Sequence, residues 1–244
     1  MRRLLAIGVV CGLLLPMAGG IAVAHAASPG LSQNPGLFLN ILPAGQGTTT
    51  TTKDATVFEA TKHRPHHDMD QRGMYARLPL ATTITGSDLK QFFKPESFGP
   101  STAVERTEKP VPGLTIERDG FGVPHIYGKT RGKAEFGAGY VAGEDRLFMI
   151  DVLRHVGEGR LSQFLGPSKA NLAMDAGMYQ VAGYSHRELQ RQIARAKNYG
   201  PAGRQALADV RSYVAGINAR IQEDLANPKE LPAEYPALQL QPKP

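Results

Sequence analysis

The stretch that most constrains this chain is residues 116–128, IERDGFGVPHIYG, followed almost at once by a long helical pattern. Leu114, Ile116, Ile126 and Tyr127 favour extended backbone, while Asp119-Gly120 and Gly122 are turn formers able to reach positive φ. The stretch therefore reads as strand, tight turn, strand. Pro124 has no N–H for a ladder, so it belongs at a strand start or a sheet edge, and it biases Val123 toward extended geometry.

Downstream, in KTRGKAEFGAGYVAGEDRLFMIDVLRHVGEGRLSQFLG, Phe136, Tyr140, Leu147, Ile150 and Leu153 recur at helical spacing, with Val141, Phe148, Val152 and Val156 widening the apolar face. Such a helix is expected to be buried on more than one side. Gly137, Gly139 and Gly143 weaken it by propensity but permit close backbone approach, which suggests packing against a sheet or another helix. Gly157 and Gly159 end it, and a short amphipathic turn, Arg160 to Leu165, closes on Gly166. Ser185-His186-Arg187-Glu188 is a capping-box pattern opening a helix to about Lys197. The next helix has Pro201 near its first turn and runs to about Leu225, with an apolar stripe of Leu207, Val210, Val214, Ile217, Ile221 and Leu225. The fold class is thus α+β, mostly helical in 130–226 with one or two strands at 114–127. So few strands do not make a stable sheet, and their pairing partners are expected outside this chain.

The first residues do not count toward the fold. Arg2 and Arg3 precede an apolar run over 4–24, and Ala24-His25-Ala26 is an A-x-A cleavage site, so residues 1–26 read as a secretory signal peptide. A retained membrane anchor is the rival reading, against which Pro16 and several Gly interrupt the run. The fuller twin-arginine pattern is absent. The only cysteine, Cys11, lies inside that segment, so a mature chain would have no disulfide scaffold, thiolate nucleophile or cysteine-ligated zinc. Without Arg2 and Arg3, 26 basic residues face 22 acidic ones, a net charge of +4. Those charges form no basic run or aromatic-interleaved patch, which argues against nucleic acid as a partner.

Residues 27–110 form an extended arm rich in Pro, Gly, Ser and Thr, read largely as loop or linker and including the run Thr48 to Thr52. Within it, LFLNILPAGQG (37–47) and LKQFFKPESFG (89–99) are apolar enough to dock on a core.

Candidate chemistry is sparse. His63, His66, His67, Asp68 and Asp70 could be metal ligands, but their spacing is irregular and a solvated loop is the favoured reading. No G-x-S-x-G elbow occurs, and His125 on a strand is read as a structural hydrogen-bonding residue, not a base. Glu144-Asp145-Arg146 could be an acid pair, but consecutive helical residues point apart. The expected role is a buried Asp-Arg contact tying the helix to the turn around Arg118-Asp119. Phosphate loops and dinucleotide fingerprints are absent.

With those residues on the page, the run from Ile116 to Gly166 resembles the opening of the penicillin acylase family of N-terminal-nucleophile amidohydrolases, which includes acyl-homoserine-lactone acylases. The matching pieces are Arg118-Asp119, Gly122-Val123-Pro124-His125-Ile126, Phe136-Gly137-x-Gly139-Tyr140, Asp145-Arg146-Leu147-Phe148, Met149 to Asp151, and Gly157-x-Gly159-x-Leu161. YVAGINARI (213–221) looks like the helix preceding the family's Lys-Pro-x-x-Trp segment, and residues 111–244 would be the N-terminal, small-subunit part of the domain, an N-terminal fragment of an αββα sandwich. The resemblance implies a secreted or periplasmic precursor that cuts itself in two and exposes a Ser whose own α-amino group serves as base. An oxyanion hole would stabilise the tetrahedral intermediate in hydrolysis of an acyl amide.

The chain has no Trp, and by this reading the nucleophile-bearing large subunit, which is the expected partner, lies outside it. Alone it is expected to be inactive. Ser87, in Thr85-Gly86-Ser87-Asp88, and Ser28 are rejected as nucleophiles. No catalytic, cofactor or metal residue is assigned here. Calcium is possible in the complete family member. The rival function is a secreted, non-catalytic helical module binding through the stripe of 207–225.

Overall fold

The computed structural model describes residues 46–72 and 102–244, the strand residues 40–41 and 94–95, and positions 83 and 100. The expected signal segment, Ser28 and Thr85 to Asp88, and the greater part of the apolar stretches 37–47 and 89–99, lie outside the described residues. In chain order the elements are β1 (Asn40–Ile41), α1 (Thr52–Thr61), a 3-10 turn (His66–Asp68), β2 (Lys94–Pro95), β3 (Val104–Glu108), β4 (Leu114–Asp119) and β5 (Pro124–Gly128). Then come α2 (Arg131–Gly157), α3 (Leu161–Leu165), α4 (Lys169–Ala182), α5 (His186–Arg195), a 3-10 turn (Ala196–Tyr199), α6 (Gly200–Ala226) and α7 (Glu234–Ala237). This is an α+β chain in which helices dominate after residue 130.

The strand-turn-strand forms where its residues place it. The Asp119 carboxylate accepts from Phe121 N (3.0 Å) and Val123 N (3.1 Å), and Gly122 sits at φ +67°, a conformation that favours glycine. β4 and β5 pair antiparallel with Ile116 opposite Ile126 and Arg118 opposite Pro124, so the proline stands at the strand start. The expectation of a pairing partner outside the chain is corrected on one side. β3 pairs antiparallel with β4 in a sheet ordered β3-β4-β5, with an irregularity between Val104 and Arg106. Its sequence, VERTE, is exposed and charged on most positions, so it carries no apolar alternation by which to read a strand.

The glycines of α2 mark where neighbours press closest. A Cβ on Gly137 would lie 2.6 Å from Ile126 Cγ2, and one on Gly139 would lie 1.8 Å from Tyr213 O. The first face rests on the sheet and the second on α6, so both expected modes of packing occur. Leu114, Ile116, Tyr140 and Val141 form the core between sheet and helices. Leu147, Ile221, Leu231 and Tyr235 form a second, joined by Phe148, Ile217 and Leu225. The expected stripe of α6 therefore divides: Ile217, Ile221 and Leu225 pack inward, whereas Val210 and Val214 stay exposed.

Among the described residues of the arm, regular structure forms where the composition suggests loop. Thr51 and Asp54 form a capping box that opens α1 inside the low-complexity stretch. Thr52 N donates to Leu231 O (2.8 Å), Lys53 N to Lys229 O (3.0 Å) and Ala233 N to Thr50 O (3.0 Å). Backbone pairing across the length of the chain thus ties 50–53 to 229–233.

Candidate functional site

The most unusual chemistry lies under the β4–β5 turn. Arg106 on β3 stands opposite Arg118 on β4, and two like charges directly across a ladder repel. α2 supplies the compensation. Glu144 accepts from Arg106 Nη2 (2.6 Å) with one oxygen and from Arg118 Nη2 (2.5 Å) with the other. Asp145 accepts from the same Arg118 Nη2 (2.6 Å), and Arg118 Nη1 donates to Gly122 O (2.9 Å). The side chains of Arg118 and Glu144 are each only 5% exposed, so this is an interior ion cluster.

The expected Asp145–Arg118 contact is present, and the turn is held by it. Two details of that expectation are corrected. Glu144 and Asp145 do not point apart in effect, since both carboxylates reach the one Arg118 guanidinium. Arg146 turns away from the turn and donates to Gln46 O (2.6 Å) and Gly47 O (3.3 Å), so it fastens the arm.

The two carboxylates differ in their titration. Burial pushes Glu144 upward, but Arg118, Arg106 and Arg220 together hold it below the ordinary carboxylate range. Burial raises Asp145 to about 6 against the pull of Arg118, with the Glu144 charge adding to the rise. Asp224, 2.8 Å from Arg220 Nη2 in the same layer, is likewise raised by burial to about 6. Within this cluster Arg106, Arg118 and Arg220 each face a carboxylate of Glu144, Asp145 or Asp224, which suits a positioning element.

His125 Nε2 donates to Asp119 Oδ2 at 3.0 Å, and Asp119 is fully buried. It braces the turn, in the structural role read for it. The His/Asp cluster of the arm separates. His67 spans Thr48 Oγ1 (2.7 Å, Nδ1) and Asp54 Oδ2 (3.0 Å, Nε2), Asp68 meets Arg64, and Asp70 packs beside Gly47 and Gly122. Among the described residues no group of three or more His, Cys, Asp or Glu side chains could hold a metal ion. Sequence reasoning named Glu144 as one of a possible acid pair without giving it these partners, and missed Arg106 and Arg220. The signal available for Glu144 and Arg106 was the pair of arginines in successive strands, which require a nearby acid.

The model of the penicillin amidase family matches residues 114–244, more than half of the chain. The chain belongs to that family. Over 141 residues it is 33% identical to penicillin acylase 2 proenzyme of Pseudomonas sp. (strain SE83), covering 55% of this chain and 16% of that protein. It is 28% identical to penicillin G acylase of Escherichia coli, over 53% of this chain and 14% of the relative. It is also 28% identical to acyl-homoserine lactone acylase PvdQ of Pseudomonas syringae pv. tomato, over 56% and 18%. Each match thus spans less than a fifth of the relative. A solved thermostable penicillin G acylase from Alcaligenes faecalis is 28% identical, with a TM-score of 0.46, over 57% of this chain and 66% of that one. The family match begins at the first residue of β4, so the charge cluster joins family elements (Arg118, Glu144, Asp145) to a strand before them (Arg106).

Proposed function

We propose that this chain is the N-terminal, small-subunit part of an exported penicillin-acylase-type precursor, a zymogen that hydrolyses the acyl amide of β-lactams, acyl-homoserine lactones or related N-acyl compounds. The observation that carries the reading is the cluster of Arg118, Glu144 and Asp145, which locks the family's strand-turn-strand to its long helix. In this reading the chain is scaffold. An N-terminal Ser on a large subunit supplies the nucleophile, its α-amino group takes the proton, and the acyl-enzyme is hydrolysed by water. Membership of the family supports the amidohydrolase class, and the short share of each relative that is covered supports a partner bearing the remaining chemistry. Among the described residues no helix is long and apolar enough to cross a membrane.

The test is an amine-release assay on the mature product of the gene that encodes this chain, using phenylacetyl and long-chain acyl amides. Hydrolysis of at least one is expected, with self-cleavage into two subunits. A folded product that stays uncleaved and releases no amine from either class would exclude the reading and favour a non-catalytic helical module.

A further inference from the structure

Arginines along this chain divide by location. Those of the sheet, of α2 and at position 220 meet carboxylate or carbonyl oxygens. Arg187, Arg191, Arg195, Arg204 and Arg211 are exposed and meet neither a hydrogen-bond acceptor nor an ion-pair partner among the described residues. The two acids interspersed with them are already taken: Glu188 by the Ser185 cap, Asp209 by Arg131 and Gln205. The field over this part of the molecule is therefore net positive.

The first three arginines recur every fourth residue on α5, so they share one face with a rise of roughly 6 Å between neighbours. The apolar residue Ile193 is on the other side of the helix and lines a groove with Leu207, Val210 and Val214 of α6. The arginine face is consequently turned outward. A tyrosine stands beyond each end of the helix, Tyr184 at 57% exposure and Tyr199 at 78%. Guanidiniums match phosphate and carboxylate groups, and amphipathic phenol rings prefer the headgroup layer of a bilayer.

We propose that this face of α5 adsorbs the protein on an anionic phospholipid surface, with Arg187, Arg191 and Arg195 on lipid phosphates. The contact is peripheral, held by charge, and does not depend on the amidohydrolase reading. Sequence spacing concealed it because no two of these arginines are adjacent.

The experiment is co-sedimentation of the full chain with phosphatidylcholine vesicles, with and without about one third phosphatidylglycerol. Binding should require the anionic lipid and weaken as salt rises from about 0.05 to about 0.5 M. The triple variant R187Q/R191Q/R195Q should lose on the order of a hundredfold in partitioning, from about 1 kcal/mol per basic residue. The matching triple lysine variant should keep most of it, which separates loss of charge from loss of fold. Both variants carry the same apolar N-terminal run as the parent, so its contribution cancels. Equal binding to neutral and anionic vesicles, or an unchanged glutamine variant, would overturn the proposal. So would retention on immobilised heparin without any vesicle binding, which would assign the face to a soluble polyanion.

Discussion

Replacing Gly216 by alanine tests how closely α2 and α6 are joined. A Cβ there would lie 2.0 Å from Phe136 O and 2.6 Å from Tyr140 N, where ordinary contact begins at 3.4 Å. The obstructing atoms are helix backbone, which no rotamer change can move, so the two helices must part by well over an ångström. Overpacking a close-fitted interior costs about 1–3 kcal/mol, and a backbone obstruction belongs at or above the top of that range. Alanine returns about 1 kcal/mol through helix propensity, leaving a net loss of about 2 kcal/mol or more. For a chain of this size that is a fall in melting temperature of roughly 4–8 °C. Gly177 in α4 is the internal control: nothing lies within 4 Å of its Cβ position, so Gly177→Ala should raise stability by up to about 1 kcal/mol. The assay is thermal and urea unfolding followed by circular dichroism. A Gly216→Ala protein as stable as the parent, alongside a stabilised Gly177→Ala, would refute backbone contact at this crossing.

Other predictions follow from the charge cluster and the arm. Arg118→Met leaves Glu144 and Asp145 buried without their shared partner and should cost about 3–5 kcal/mol, read as loss of soluble protein or a lowered urea midpoint. Asp224 carries a folded-state pKa of about 6, above its ordinary 3.8, so its ionisation opposes folding and its contribution falls as pH rises from about 4 to about 6. Asp224→Asn should lose that slope, so the difference in unfolding free energy between parent and variant should change with pH across this window, as measured by urea titration. Glu144 acts in the opposite sense, since its pKa is depressed below 4.5: its contribution is complete above that value and lost as pH falls below it. His67→Ala removes both bonds of the ring to Thr48 and Asp54, and should speed amide exchange and proteolysis within 46–61 while leaving 114–157 protected.

How far the sequence could be read follows the kind of force involved. The β4–β5 turn was legible because Asp119, Gly122 and Pro124 each restrict the backbone locally. The ends of α2, α3 and α5 were legible from Gly159, Gly166 and the Ser185 capping box for the same reason. β3 was not, since a polar edge strand gains its place from pairing with β4 and has no periodic signature of its own. α1 was hidden by a threonine run whose cap, Thr51 with Asp54, is a two-residue signal in a low-complexity background. At the site, the Asp145–Arg118 contact could be inferred from one helix and one turn. The part played by Glu144 could not, because it depends on Arg106, which stands on a strand with no periodic signature of its own. Arg146 reaches carbonyls about a hundred residues away, a contact that no spacing in the sequence marks.

The most direct test of the central claim, that this chain is the scaffold of an acylase whose nucleophile lies elsewhere, is to label the mature gene product with a serine-directed sulfonyl fluoride and map the modified residue by mass spectrometry. The account predicts a single modified serine at a newly formed N-terminus outside residues 1–244, with amide hydrolysis lost in step with labelling. Modification of any serine within residues 1–244, accompanied by the same loss of activity, would contradict it.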